Sequence, residues 1–438
     1  MTTRNRKVLV GGAALVTLAL TLAACAADDA ETEAAVEPEA VAEPEDTDSE
    51  PTTDEEEAVD APPIDEPLII GFSAPFSGPF SAVGPFTGAG ADFALAELDG
   101  ELFDGRPIEY ITFDDKNEPA EAIAVAREAV RDGVGIMIGP AMTGTAAATM
   151  ETYTSNGIPQ LIIGSADSVI AEDFPLAFRI TFPSRQQSAV QIAYAVEVLG
   201  LENIGIVAVN DALGQSEIAG ATTELANRDL APAGVEQFNT GDTDLTGQVG
   251  RLRDAGVDGL YVYASGADAA AVIQAMNDVG IGDVPVFAHS GMALSAFRNL
   301  VEDLDTSRVY PTGHCPMIGQ FEDLAPDVQN LIELVKDAVY EGGDFAEGAF
   351  LQGLTYDAIH VVARAYEHAG GATDPESMAA GLRQISDFEG VMGRVDFSDG
   401  NEGWPLSNIA PAAVDSYDPE WGIYTEFGPD AGCGLPPY

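Results

Sequence analysis

The sequence predicts an α/β fold of two lobes, each a mostly parallel sheet flanked by helices. Three observations carry this expectation. From Leu68 onward, short apolar runs of strand type alternate with helix-length segments, the pattern of βαβ units. The alternation restarts after about residue 184, as a second consecutive set. About 370 residues lie in this part of the chain, which is too many for one compact core and enough for two.

The first set opens with a buried strand at 68–72, then a Gly/Pro/Ser-rich loop at 73–84 and a helix from about 86 to 98. A strand at 108–113 and an amphipathic helix at 120–131 come next. The strand at 134–138 is broken by Gly139-Pro140, and a helix behind Thr143-Gly144-Thr145 runs to about 155, before a strand at 159–163. The second set reads helix 186–199, strand 204–209, helices 214–228 and 245–253, strand 260–263, helix 268–279 and strand 284–288. Long helices follow at 327–340 and 351–368. Ligands in such sheets sit beyond the carboxyl ends of strands. That places the loops at Ser73, Thr143, Gly164, Asn210, Ala264 and His289 around a cleft between the lobes.

The ends of the chain speak to location. Arg4, Arg6 and Lys7 precede an uncharged, mostly apolar run at 8–22. Such a run is short for a membrane span and has the form of a secretory signal. Leu22-Ala23-Ala24-Cys25 resembles a bacterial lipobox, which implies cleavage before Cys25, a signal at 1–24 and a lipid on Cys25. The expected protein is then extracytoplasmic, anchored to the cell membrane by lipid only. Residues 25–67 are mostly Ala, Glu, Asp, Pro and Thr after the cysteine, without an aromatic residue. They bury too little apolar surface to offset ordering entropy, so an acidic disordered tether is expected.

The chain carries 73 acidic against 18 basic residues, a net charge of −55, and from Leu68 onward the count is 55 against 15. The folded part is therefore strongly acidic, which argues against nucleic acid and anionic lipid surfaces as partners. The same charge fits a salty habitat. Cys315 and Cys433 remain after Cys25, and two thiols in an exported protein suggest a disulfide.

One turn stands out for chemistry. A strand, a tight turn and a helix opening with Thr present free backbone N–H groups and hydroxyls at Thr143, Gly144 and Thr145. That is a site for a small anion such as a carboxylate; the plainer alternative is a βα unit with Thr143 as its N-cap. The segments IIGFSAPFSGPFSAVGPFTGAGADFALAEL, IMIGPAMTGTAAATMETYTSNGIPQLIIGSAD and EGVMGRVDFSDGNEG resemble the substrate-binding proteins of branched-chain amino-acid-type ABC transporters, the Leu/Ile/Val-binding proteins. The resemblance covers 68 to about 424 and implies the type I periplasmic-binding-protein fold. It further implies three crossings between the lobes, expected near 183–185, 310–313 and 390–394. Lobe 1 would then be 68–184 plus 312–391, and lobe 2 would be 185–311 plus 392–438.

In the family, the turn after the third strand holds the substrate carboxylate. The matching positions are Ala141 through its backbone and Thr143 through its hydroxyl, with Gly144 and Thr145 beside them. Ser165 and Asp167 match a second polar contact. Other positions depart from the amino-acid pattern. An aromatic residue of the first loop falls at Val83, with Phe80 close by, and a tyrosine falls at Leu213. The acid that pairs with the substrate's ammonium falls at Ser290. An unpaired ammonium in a closing cleft costs several kcal/mol. Either Asp167, Asp211 or Asp268 substitutes, or the ligand is not an α-amino acid. Tyr261 and Tyr263 line the pocket or belong to the core, and Ser265 joins Leu213 and Ser290 on the second lobe.

No catalytic arrangement is apparent. The four histidines show no metal-ligand spacing, and His289 alone falls near the expected cleft. No nucleophile elbow, P-loop or dinucleotide fingerprint is present. The expectation is a binding protein, not an enzyme, without cofactor or metal. It captures a small carboxylate-bearing solute, an amino acid or related compound, and delivers it to ABC permease subunits. A ligand-sensing receptor module of the same fold is the alternative.

Overall fold

The computed structural model describes residues 5–9, 66–78, 80–81, 83–98, 103, 105–170, 173–339 and 349–436. Most of the expected signal, Cys25 and nearly all of the acidic tether lie outside the described residues.

The first sheet contains β1 (Asn5–Leu9), β2 (Leu68–Ala74), β3 (Ile108–Asp114), β4 (Ile136–Ile138), β5 (Gln160–Ile162) and β6 (Ala177–Arg179). Its order is β1-β3-β2-β4-β5-β6. All neighbours are parallel except β1, which lies antiparallel on β3. Val8 and Leu9, expected to begin the apolar run of the signal, here end an edge strand. The connecting helices are α1 (Val83–Glu97), α2 (Pro119–Arg131) and α3 (Thr143–Ser155). They cover the sheet, so its strands read as continuous apolar runs; all three residues of β4 are buried. Helix α2 shows the cause plainly. Ala122, Val125, Ala126 and Ala129 recur at helical spacing and are buried, and Pro119 stands in the first turn, where its missing N–H costs nothing.

The second sheet contains β7 (Ile204–Val209), β8 (Gly234–Phe238), β9 (Gly259–Tyr263), β10 (Val286–Ala288) and β11 (Val309–His314). Helices α4 (Ser184–Ala193), α5 (Ala212–Ala226), α6 (Thr246–Asp254), α7 (Gly266–Asp278) and α8 (Ser295–Arg298) accompany it. The chain then returns to the first core with α9 (Pro326–Val339), α10 (Phe350–His368), α11 (Pro375–Leu382) and the hairpin β12 (Phe388–Gly390) and β13 (Gly393–Val395). Strand β14 (Ile409–Pro411) closes the second sheet, in the order β14-β11-β10-β9-β7-β8, and only β14 runs antiparallel. A small hairpin, β15 (Tyr417–Asp418) and β16 (Ile423–Tyr424), precedes the tail.

Several boundaries differ from expectation. The second passage between the sheets comes after His314, because Val309–His314 pairs along β10 and β14 as one strand. The third comes after Trp404, since Val395, Phe397 and Trp404 are buried in the first core. The helix expected over 186–199 is α-helical only to Ala193 and continues as a π-helical turn, Tyr194–Val198. Cys315 and Cys433 form a disulfide with a Cα–Cα distance of 5.8 Å, which ties the tail to the end of β11.

Candidate functional site

The ends of β2, β4 and β5 converge on one face of the first sheet. Asp114, at the end of β3, accepts hydrogen bonds from the Phe76 and Ser77 backbone N–H groups at 2.9 and 3.2 Å. The Ser77 hydroxyl and the Lys116 N–H donate to it as well, and these bonds hold its carboxyl below the usual range despite burial. The loop after β2 is thus fixed in place. Ala141 N–H donates to the Ser73 carbonyl at 3.1 Å, joining that loop to the turn after β4. Gly139 makes this approach possible: its φ is +92°, and a Cβ there would stand 2.5 Å from the Ser73 carbonyl oxygen.

Helix α3 begins at Thr143, with Met142 at the N-cap position and no side-chain cap. Thr143 is therefore the first helical residue and not the cap itself. An α-helix leaves its first N–H groups without intrahelical acceptors. Those of Thr143, Gly144 and Thr145 find no acceptor among the described residues. Gly144 is exposed and a Cβ there would meet nothing, so the helix start is open. The Thr145 side chain is a correction: it is 1% exposed and its hydroxyl donates to the Met142 carbonyl at 3.0 Å. Only its N–H remains for a ligand. Gly164 packs directly on this start, since a Cβ there would stand 3.0 Å from Thr143 Cα.

Beyond Gly164 the chain reaches the other lobe. The Ser165 carbonyl accepts from the Ser184 N–H at 2.8 Å and from Arg179 at 2.8 Å. Asp167 is not free to pair an ammonium. Its carboxylate meets Arg185 at 3.0 Å, Arg179 at 4.0 Å and the Ser216 hydroxyl of α5 at 3.3 Å. Phe80 is 45% exposed on the turn before α1, with no ring partner among the described residues. Phe76 instead packs edge-on against Phe72, at 6.0 Å.

On the second sheet, the ends of β7, β9 and β10 carry the facing loops. Leu213 is half-buried in the first turn of α5. Asp211 caps that helix by accepting from Gly214 N–H at 2.6 Å, and Tyr263 also approaches it, at 3.4 Å. Asp268 accepts from Gly241 N–H at 2.9 Å. Of the acids expected to substitute at Ser290, Asp167 is thus paired with arginine, and Asp211 and Asp268 each hold a backbone N–H. Ser265 is exposed at the N-cap of α7. Ser290 is 8% exposed and its N–H donates to Gln187 Oε1 at 3.1 Å. The two tyrosines divide: Tyr261 is fully buried and bonded to Glu217, whereas Tyr263 stands edge-on to His289 at 5.0 Å.

Two groups here escape a reading of the sequence. Glu217 is wholly buried, and burial pushes its carboxyl well up. Its Oε1 lies 3.8 Å from His289 Nε2, and neither atom has a hydrogen-bond partner. His289 Nδ1 accepts from Gly291 N–H, so the neutral ring carries its proton on Nε2, and burial pushes its pKa down to about 3. A lone acid at an inward position of α5 was the available signal for Glu217. The other group is His314, which ends β11 beside β10 and lines a cavity together with Ser290. It joins His289 near the cleft. Among the described residues, no group of three or more His, Cys, Asp or Glu side chains is placed to hold a metal ion.

Two mostly parallel sheets flanked by helices, between which the chain passes back and forth, make this a type I periplasmic-binding-protein fold. The sequence pattern of the periplasmic binding proteins matches residues 67–416, and the chain belongs to that family. Among curated relatives, the Leu/Ile/Val-binding protein homolog 1 of Brucella melitensis is 23% identical over 337 residues, 76% of this chain and 86% of its own length. The leucine-, isoleucine-, valine-, threonine- and alanine-binding protein of Pseudomonas aeruginosa is 23% identical, with 75% and 85% covered. The substrate-binding protein LivJ of Streptococcus pneumoniae, solved in complex with isoleucine, superposes with a TM-score of 0.63 at 24% identity, covering 76% and 92%. A solute-binding protein of R. palustris, solved with 4-hydroxybenzoate, gives 0.69 at 16% identity, covering 85% and 99%. The family and these relatives are solute-binding proteins, not enzymes.

Proposed function

We propose that this chain is the solute-binding component of an ABC importer and that it captures a small carboxylic acid between its lobes. The observation that carries the reading is the open start of α3, with three N–H groups free of acceptors and the Thr143 hydroxyl beside them. A helix start of this kind stabilises an anion through its hydrogen bonds and its dipole. Gly144 and Ser165 complete this face, whereas the Ala141 N–H is taken by the Ser73 carbonyl and drops out of the clamp; Leu213, Ser265 and Ser290 close from the other lobe. Isoleucine and 4-hydroxybenzoate, held by the two neighbours, share a carboxylate and little else, which fits a clamp on that group alone.

The second lobe favours acids without an α-ammonium. Ser290 offers no charge, and Asp167, the substitute on the first lobe, is already paired with Arg185. In this reading the chain is exported, cleaved before Cys25, which removes the edge strand β1 and leaves β3-β2-β4-β5-β6, and held at the membrane by lipid, with residues 26–67 as spacer. A thermal-shift series comparing leucine with 4-methylvalerate, its des-amino counterpart, tests the ligand class. A ligand at about 100 Kd adds about 2.7 kcal/mol of stability, and the des-amino acid is expected to stabilise more. Stabilisation by leucine alone overturns the preference, and stabilisation by neither this pair nor other small acids overturns carboxylate capture.

A further inference from the structure

A cavity of about 50 Å³ opens beside the second passage between the sheets. It has room for a small group but not for a whole solute. Its lining includes Ser290, Thr312, His314, Met317, Phe350 and Tyr424. Ser290 follows His289 at the end of β10, so the cavity lies beside a strand end of the second sheet.

His314 is the anomaly of this cavity. It is 5% exposed, and neither ring nitrogen has a hydrogen-bond partner among the described residues. Its ring lies tilted against both Phe182 at 4.8 Å and Phe350 at 4.4 Å, with Trp404 edge-on at 6.0 Å. A buried polar group without a partner is costly, and a phenylalanine would fill the same slot without that cost. The surrounding wall is held firmly. The Tyr424 hydroxyl donates to the Ala293 carbonyl at 2.5 Å and accepts from Arg298 at 3.1 Å. The disulfide from Cys315 fixes the tail next to His314.

We propose that the cavity receives the far end of the captured acid and that His314 hydrogen-bonds a neutral hydroxyl or carbonyl there, at the tip of an otherwise apolar body. This rests on carboxylate capture by the α3 start. Burial pushes the His314 pKa down to about 3, so the ring is neutral at physiological pH and offers one donor and one acceptor. A hydroxyl can accept from the protonated nitrogen or donate to the other. A charged tip would lose its hydration among Met317, Phe350 and Ile423 without a counter-charge in return.

Isothermal titration of the intact protein with two matched pairs tests this: phenylacetate against 4-hydroxyphenylacetate, and hexanoate against 6-hydroxyhexanoate. In at least one pair the hydroxylated acid is expected to bind about tenfold more tightly, the worth of one well-made hydrogen bond. His314→Phe keeps a ring in the slot and is expected to remove the preference while leaving the plain acid bound. His314→Gln retains a donor and an acceptor and is expected to keep part of the preference. Thr143→Ala is expected to weaken both members of a pair equally. Equal binding of both members by the wild type, or a preference that survives in His314→Phe, overturns the role of His314 alone. Binding of none of the four acids overturns carboxylate capture together with it.

Discussion

The Cys315–Cys433 bond makes a prediction whose size follows from the chain. The two cysteines are 118 residues apart, so the bond closes a long loop in the unfolded state. The chain-entropy relation for a loop of that length gives about 16 cal/mol/K, or about 5 kcal/mol at 25 °C. Contacts that do not depend on the bond also hold the tail. Gly428 N–H donates to the Pro411 carbonyl and Gly434 N–H to the Ile409 carbonyl, both at 2.9 Å, and the Tyr194 hydroxyl to the Pro429 carbonyl at 3.0 Å. These keep the tail docked in the native state of a variant lacking the bond. Residual structure in the unbridged unfolded chain lowers the gain, so removal of the bond is expected to cost about 2–5 kcal/mol. The assay is urea unfolding of the wild type against Cys315→Ser/Cys433→Ser, with and without reductant. Reductant should bring the wild type down to the variant and leave the variant unmoved. Equal stability of the two without reductant, or two free thiols in the unfolded, unreduced wild type, refutes the reasoning.

Other outcomes follow from the site and the charge. Thr143→Ala is expected to weaken acid binding by about 1.5–3 kcal/mol, the worth of a hydrogen bond to a charged group, as read by calorimetry. His289 and His314, both pushed down to about 3 by burial, refuse protons that the unfolded chain accepts below about pH 6.5. Each therefore lowers stability as pH falls from about 6.5 toward 3, by up to about 1.4 kcal/mol per unit. Asp357, pushed up to about 7 by burial, acts oppositely, its contribution falling as pH rises from about 4 to 7. Denaturation between pH 4 and 6 should lose one histidine's worth of slope in His314→Phe, and an unchanged slope contradicts the assignment. The folded region carries 55 acidic against 15 basic residues, and salt screens such repulsion. Its unfolding midpoint is expected to rise from low to molar salt, and a constant midpoint refutes that.

Much of the fold was legible because parallel strands covered on both faces are apolar throughout. Ile204–Val209 is wholly buried and reads as a strand on sight. Gly234–Phe238 alternates half-buried with exposed positions at the sheet edge up to buried Phe238, and Ala177–Arg179 is only three residues long. Val309–His314 contains Pro311 and Gly313, which read as a break; there the neighbouring strands impose the extended chain. The α3 start was legible from Gly-Pro followed by Thr-Gly-Thr. The commitments of Asp167, Asp211 and Asp268 were not: Arg185 lies 18 residues from Asp167 and Gly241 27 residues from Asp268, and Asp211 is held in the turn of the helix that it caps. His314 shows why a histidine cannot be placed from spacing alone: its neighbours Phe182, Phe350 and Trp404 come from distant parts of the chain.

The most direct measurement is a crystal structure with the tightest-binding acid of the series. The account predicts carboxylate oxygens at about 2.7–3.2 Å from the Thr143 hydroxyl and the N–H groups at the start of α3, with the second lobe closed over the acid. An acid bound elsewhere, or one whose carboxylate faces the second lobe while the α3 start meets only water, would contradict it.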